Sequence, residues 1–189
     1  RMATALRDDS WSEVEQQVWY QSAQQIADDE NFFHWEMEFP IVFYEQNGER
    51  KDNSGFDVVI GNPPWLNAWR MTDKMPKKRN AIRQVFDSSD LLEGHWDLYI
   101  PFTIQSLNLC RNGGRHSFIL PNLMLTEKYA KNLRRSLLSD HKLESILDFG
   151  EKNVFDEVER QSIVYVVDVG GDNTALHELQ RCAGTDPFN

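Results

Sequence analysis

Four consecutive residues, Asn62-Pro63-Pro64-Trp65, are the part of this chain whose types and order could do chemistry. Each proline fixes its own φ near about −65° and pushes the residue before it toward extended backbone, so Asn62 is confined to a narrow range of poses. Prolines carry no N–H, and this stretch therefore offers carbonyl acceptors, with the Asn62 amide and the Trp65 ring beside them. An exocyclic amine fits such a corner. Its two hydrogens could be accepted by the Asn62 side-chain oxygen and the Pro63 carbonyl, which would turn the nitrogen lone pair toward an electrophile. Trp65 could stack on a base extruded from a duplex. The structural alternative is a stiff Pro-Pro exit from a strand with Trp65 buried for packing.

The elements around the motif decide whether it sits where ligands bind. Phe56-Asp57-Val58-Val59-Ile60, bounded by Gly55 and Gly61, has the apolar and β-branched character of a strand buried on both faces of a parallel sheet. Asn62 then falls just beyond its carboxyl end, where open α/β sheets hold their ligands. Downstream, the spacing predicts a helix over 97–109 with Pro101 in its first turn, ended by Asn112-Gly113-Gly114, and a strand over 116–120. A second helix over 127–138 is expected to turn Leu133, Leu137 and Leu138 inward and Lys131, Arg134 and Arg135 outward. Strands follow over 145–149 and 162–169. Upstream, Trp11, Val14, Val18 and Ile26 mark an acid-faced amphipathic helix over 10–28, with Ser10 and Glu13 as a capping pair, and 32–55 is a connection.

This alternation predicts an α/β fold, a partial doubly wound, Rossmann-like sheet, mostly parallel, with an N-terminal helical extension. The expected division is an acidic helical segment over 1–38 and the C-terminal half of a catalytic domain over 39–189. A complete nucleotide-binding domain opens with a strand, a Gly-rich turn and a helix facing the cofactor. Nothing before Phe56 supplies those parts, and Asp148-Phe149-Gly150-Glu151 lacks the second glycine. A longer polypeptide is therefore expected, and little or no affinity for a cofactor by these residues alone.

The chain has 189 residues, of which 40% are hydrophobic, and a net charge of −10. That balance argues against a nucleic-acid partner until its distribution is seen. Asp8, Asp9, Glu13, Glu15, Asp28, Asp29, Glu30, Glu36 and Glu38 fall in one stretch without a Lys or Arg, whereas Arg70, Lys74, Lys77, Lys78, Arg79 and Arg83 follow the motif against Asp73 alone. Arg70, Lys77, Lys78 and Arg79 are candidate contacts to a DNA backbone, with a solvated loop as the alternative. Cys110 and Cys182 lack metal or redox spacing, and His95, His116 and His141 are expected in surface or capping roles with no metal site. No apolar run is long enough for a membrane span and no secretory leader is visible, so a cytoplasmic protein is expected.

The motif in its setting, Gly55-Phe56-Asp57 before Gly61-Asn62-Pro63-Pro64-Trp65, resembles the amino-methyltransferases of DNA. It is most similar to the adenine-N6 enzymes of combined restriction-modification (type IIG) and phage-defence systems. The order of Asp97-Leu98-Tyr99, Phe102, the Gly113-Gly114 to Leu120-Pro121 strand, Leu133-Arg134 and Asp148-Phe149-Gly150 through Phe155 is similar too, over roughly 32–169. The resemblance implies methyl transfer from S-adenosylmethionine to adenine N6 in double-stranded DNA. It implies Asn62, Pro63 and Trp65 at the chemistry, Phe155 as a second ring on the flipped base, and Pro64 and Phe102 on the cofactor's adenine. For Phe155 and Phe102 a place in the core is the alternative. The cofactor-binding and target-recognition regions would belong to other parts of the polypeptide. RNA-adenine and protein-glutamine methyltransferases share the motif, and a non-catalytic module docking DNA or a partner is a further alternative.

Overall fold

The computed structural model describes residues 11–30, 33–86, 91–150, 154 and 161–172, and the backbone of 178–181. In chain order the helices are α1 (Trp11–Glu15), α2 (Val18–Glu30), α3 (Trp35–Glu38), α4 (Pro40–Phe43), α5 (Ala68–Lys74), α6 (Pro76–Phe86), α7 (Tyr99–Leu109), α8 (Leu123–Thr126) and α9 (Lys131–Ser139). The strands are β1 (Phe56–Gly61), β2 (Cys110–Pro121), β3 (His141–Asp148), β4 (Ser162–Val169) and β5 (Glu178–Arg181). None of the described helices is long and apolar enough to cross a membrane.

The strands form one sheet in the order β1-β2-β4-β3-β5. β1 pairs parallel with β2, β4 pairs antiparallel with both β2 and β3, and β5 pairs parallel with β3. Four strands therefore run one way and β4 alone runs back, which keeps the α/β architecture and the dominant direction expected from the sequence. β3 and β4 are consecutive and pair from His141↔Val169 to Asp148↔Ile163, so they need no helical crossover.

β2 begins where α7 ends, earlier than the glycine pair suggests. Phe56 is opposite Cys110, yet Val58 is opposite Arg115, so the Asn112-Gly113-Gly114 stretch lies inside the strand as a bulge. Gly113 takes φ +75° there. A Cβ on Gly114 would lie 2.9 Å from the Arg111 carbonyl oxygen and 3.0 Å from that of Phe56. The residues that look like a helix stop are thus a device for bringing two backbones together.

One core holds the sheet to its helices. Tyr99, Ile100 and Leu107 of α7, Leu133 and Leu137 of α9 and Ile163, Tyr165 and Val167 of β4 are buried together. Leu138, expected inward, is 46% exposed because α9 turns only the Leu133 and Leu137 side to the sheet. Arg134, expected on the outward face, donates instead to the carbonyls of Met124 (2.6 Å) and Glu127 (2.8 Å). It satisfies C-terminal groups of the short α8. The helix expected over 10–28 is split into α1 and α2, and its Val18, Trp19 and Ile26 are exposed.

β1 departs from expectation in a way that bears on the site. It is an edge strand, and Val58 and Ile60 are 59% and 78% exposed. Only the other face, carrying Val59, packs against the core.

Candidate active site

The backbone leaves β1 at Gly61 and enters the motif at once. Asn62 and Pro64 are exposed, Pro63 is buried, and Trp65 is half-buried against the core. The segment after Trp65 is stitched to the start of α7. The Ala68 N–H donates to the Trp96 carbonyl (2.8 Å) and the Leu98 N–H to that of Leu66 (2.9 Å), around a bridge between Asn67 and Asp97. Asn67 caps α5 by accepting from the Trp69 N–H (2.9 Å), and its amide donates to the His95 carbonyl (2.9 Å). Ala68 and Met71 then bury α5 in the core. The four-residue corner is consequently fixed at both ends, by a strand before it and a capped helix after it.

A cavity of about 620 Å³ opens beside the motif. Its lining includes Val58 and Ile60 of β1, Asn62, Pro63 and Pro64 of the motif, and Pro101 and Phe102 of α7. Phe102 is 48% exposed, so it is a wall of this cavity and not a core residue. Trp65 does not line the cavity. The motif therefore divides two surroundings, with Asn62 and Pro64 on the cavity and Trp65 against the core. Apart from Asn62, the polar side chains in the lining are Gln105 and Ser106. Walls of this kind suit a flat apolar ring such as a purine. They offer no charged partner for a carboxylate or an ammonium group.

Ser106 belongs to a buried network that the sequence does not announce. Its Oγ lies 2.7 Å from His116 Nε2 and donates to the Thr103 carbonyl (2.8 Å), and the Tyr165 hydroxyl lies 3.0 Å from His116 Nδ1. The assignment that satisfies every group has His116 Nε2–H donating to Ser106 while Nδ1 accepts from Tyr165. His116 is fully buried, which corrects its expected surface role. Burial pushes its pKa down to about 4 and raises that of Tyr165 well above the ordinary phenol. His141 is half-buried and accepts from the Gly170 N–H (3.2 Å), while His95 is exposed. The Cys110 thiol is pushed up to about 11 by burial, as befits an inert reduced side chain. Among the described residues no group of three or more His, Cys, Asp or Glu could hold a metal.

The basic stretch after the motif is helical, in α5 and α6, rather than a loop. Arg70, Lys77 and Lys78 are exposed, as are Lys74 and Arg83. Arg79 differs from them. It is half-buried, with its Nε buried, and it lies on the same helix side as Ile82 and Phe86, which line the cavity. Phe155 lies outside the described residues.

Fold and site together define an α/β protein with an open apolar cavity where the carboxyl end of a sheet strand runs into a stiff Asn-Pro-Pro corner. A Listeria monocytogenes protein described as a class I S-adenosylmethionine-dependent methyltransferase superposes with a TM-score of 0.52 at 21% identity, over 76% of this chain and 42% of its own. The DNA-bound DrdV structure superposes with a TM-score of 0.52 at 15% identity, over 69% of this chain and 15% of its own. The chain belongs to the Eco57I restriction-modification methylase family, whose model matches residues 3–155. S-adenosylmethionine is the cofactor that this family implies. A type II restriction enzyme and methyltransferase of Methanocaldococcus jannaschii is 30% identical over 115 residues, 61% of this chain. The type II methyltransferase M.BstVI of Geobacillus stearothermophilus is 30% identical over 114 residues, 59% of this chain. The chain spans 8% and 19% of those two relatives.

Proposed function

We propose that this chain carries the target-base half of a DNA methyltransferase that moves the methyl group of S-adenosylmethionine to adenine N6 within a restriction-modification or phage-defence protein. The observation that carries the proposal is the placement of Asn62. It stands exposed at the carboxyl end of β1, stiffened by Pro63 and Pro64, between an apolar cavity and the Trp65 side of the motif. Methyl transfer of this type is a direct displacement in which orientation and hydrogen bonding lower the barrier. The Asn62 side-chain oxygen and the Pro63 carbonyl accept the two hydrogens of the amine, and the base stacks on the part of the Trp65 ring that its packing against the core leaves uncovered, on the side of the motif away from the cavity. Pro64 and Phe102, both on the cavity, hold the cofactor's adenine, and the bound cofactor supplies the electrophilic methyl group. Asn62 also offers its amide N–H2 to the substrate, which lets it orient as well as accept.

Arg70, Lys77 and Lys78 lie on exposed surface after the motif and fit contacts to the phosphates of the same duplex. Arg79 fits this role less well because its inward side is shared with Ile82. The exposed apolar face of β1 is what a seam to a cofactor-binding half elsewhere in the polypeptide would use. A division at 38 and 39, and a cytoplasmic location, belong to the same proposal. The decisive experiment is Asn62→Ala in the intact polypeptide, with labelled methyl transfer to duplex DNA, RNA and a glutamine-bearing protein measured side by side. The expected outcome is loss of at least about 100-fold in DNA methylation with unchanged unfolding behaviour. Normal activity in the variant, or transfer to RNA or protein alone, overturns the proposal.

A further inference from the structure

α5 and α6 are consecutive but are held to the protein very differently. Ala68 and Met71 of α5 are buried in the core, and its first turn is capped by Asn67. No residue of α6 is buried. Its only inward side is the series Arg79, Ile82 and Phe86, at the i, i+3, i+7 spacing of one helix face, continued backward by Met75 at the junction. Ile82 and Phe86 reach the cavity as one of its walls, and Met75 packs against the core. The junction is a single residue, Met75, at φ −151° and ψ 60°, followed by Pro76. A fixed helix is thus joined through one non-helical residue to a helix seated only along one stripe.

The cations are divided between these two helices. Arg70 and Lys74 stand on the fixed α5, and Lys77, Lys78 and Arg83 stand exposed on α6. We propose that α6 is a phosphate-gated wall: the two sets of cations form one surface for a duplex backbone when the Met75-Arg79-Ile82-Phe86 stripe is seated, so binding of DNA phosphates closes α6 over the cavity. The coupling has a stated source. Seated, α6 presents its cations beside those of α5, and a backbone contacts both sets; unseated, it contacts the α5 set alone. A ligand shifts a two-state equilibrium only through such a difference in contacts. By reciprocity, weakening the seat must weaken DNA binding even when no cation is touched.

This inference rests on the proposed DNA substrate, and its test separates the two. Binding of a duplex of about 20 base pairs to the full chain is measured against salt, where the slope of log affinity counts the phosphates neutralised. Amide hydrogen exchange of 76–86 and of 68–74 is followed with and without the duplex. Wild type is expected to show faster exchange in α6 than in α5, and slowing of α6 when duplex is added. Ile82→Ala with Phe86→Ala is expected to lower affinity by roughly threefold or more, to reduce the salt slope by about 2, and to abolish the slowing. Lys77→Gln with Arg83→Gln is expected to reduce the slope similarly and leave exchange of α6 in the free protein unchanged. Exchange in α7 and β2 reports whether each variant keeps the core. If duplex binds and the cation variants reduce the slope, but the stripe variant matches wild type in affinity and slope, the gate is overturned and the DNA reading stands. If duplex binding is absent or independent of salt, both are overturned.

Discussion

His116 sits between Ser106 and Tyr165 with no access to solvent, and that placement fixes one response of the protein to acid. Its folded pKa, about 4, lies below the ordinary 6.5, so between those values the unfolded chain binds more protons than the folded one. Stability from the neutral ring is therefore complete above pH 6.5 and is lost as pH falls toward 4, by about 3 kcal/mol in total. Urea midpoints at pH 7 and pH 5 are expected to differ more in wild type than in His116→Phe, which has no titrating ring; equal differences would remove His116 as the cause. The sequence shows a histidine between polar neighbours in a β-like run and gives no sign of the burial. Ser106 and Tyr165 lie 10 and 49 residues away in sequence from it, and only the α7-β2-β4 packing brings them together. Asn62 is the opposite case. Two prolines beside it and a β-branched strand before it are local constraints, so its exposed pose follows from its neighbours alone.

At the scale of elements, the β1-β2 junction is where backbone geometry leaves least room. Gly55 takes φ +131°, and a Cβ there would lie 2.5 Å from the Arg111 backbone nitrogen and 2.7 Å from the Leu109 carbonyl oxygen. Neither atom can move without displacing the end of α7 or the start of β2. Gly48, at φ +83°, has nothing within 4 Å of its would-be Cβ. Gly55→Ala is accordingly expected to destabilise by at least about 2 kcal/mol and Gly48→Ala by about 1 kcal/mol, compared by denaturant midpoints. Equal effects would mean that close approach contributes nothing beyond the positive φ. Asn67→Ala should cost about 1 kcal/mol through the lost α5 cap, and more if the His95 tie matters independently. α7, β1 and β4 were legible because their apolar residues are dense, with no charge in α7 and a single aspartate in each strand, Asp57 and Asp168. α5 and α6 were not, because six cations over 70–83 hide a stripe only one residue wide, and Pro76 between them reads as an interruption rather than as a first helical position.

For the whole molecule, β1 is the feature that its own contacts do not explain. A strand rich in Val and Ile at the edge of a sheet, with Val58 and Ile60 open to solvent, is what an unprotected edge looks like, and proteins normally cover or charge such edges. The run over 56–60 signals burial on both faces, yet among the described residues Val58 and Ile60 are left exposed on one of them. The two observations agree if the second face is covered by the proposed cofactor-binding half. A lysine at Ile60 distinguishes the cases. In the chain alone Ile60→Lys replaces a side chain that is 78% exposed, so the denaturation midpoint should change by no more than about 0.5 kcal/mol. In the intact polypeptide the same lysine would be desolvated at the seam, with an expected loss of about 2 kcal/mol or more and weaker binding of S-adenosylmethionine. Val58→Lys, on the same face, should behave alike, whereas Asp57→Lys tests only the surface ion pair with Arg111 (2.7 Å) and should leave cofactor affinity unchanged. An intact polypeptide as indifferent to Ile60→Lys as the chain alone would mean that nothing covers this face.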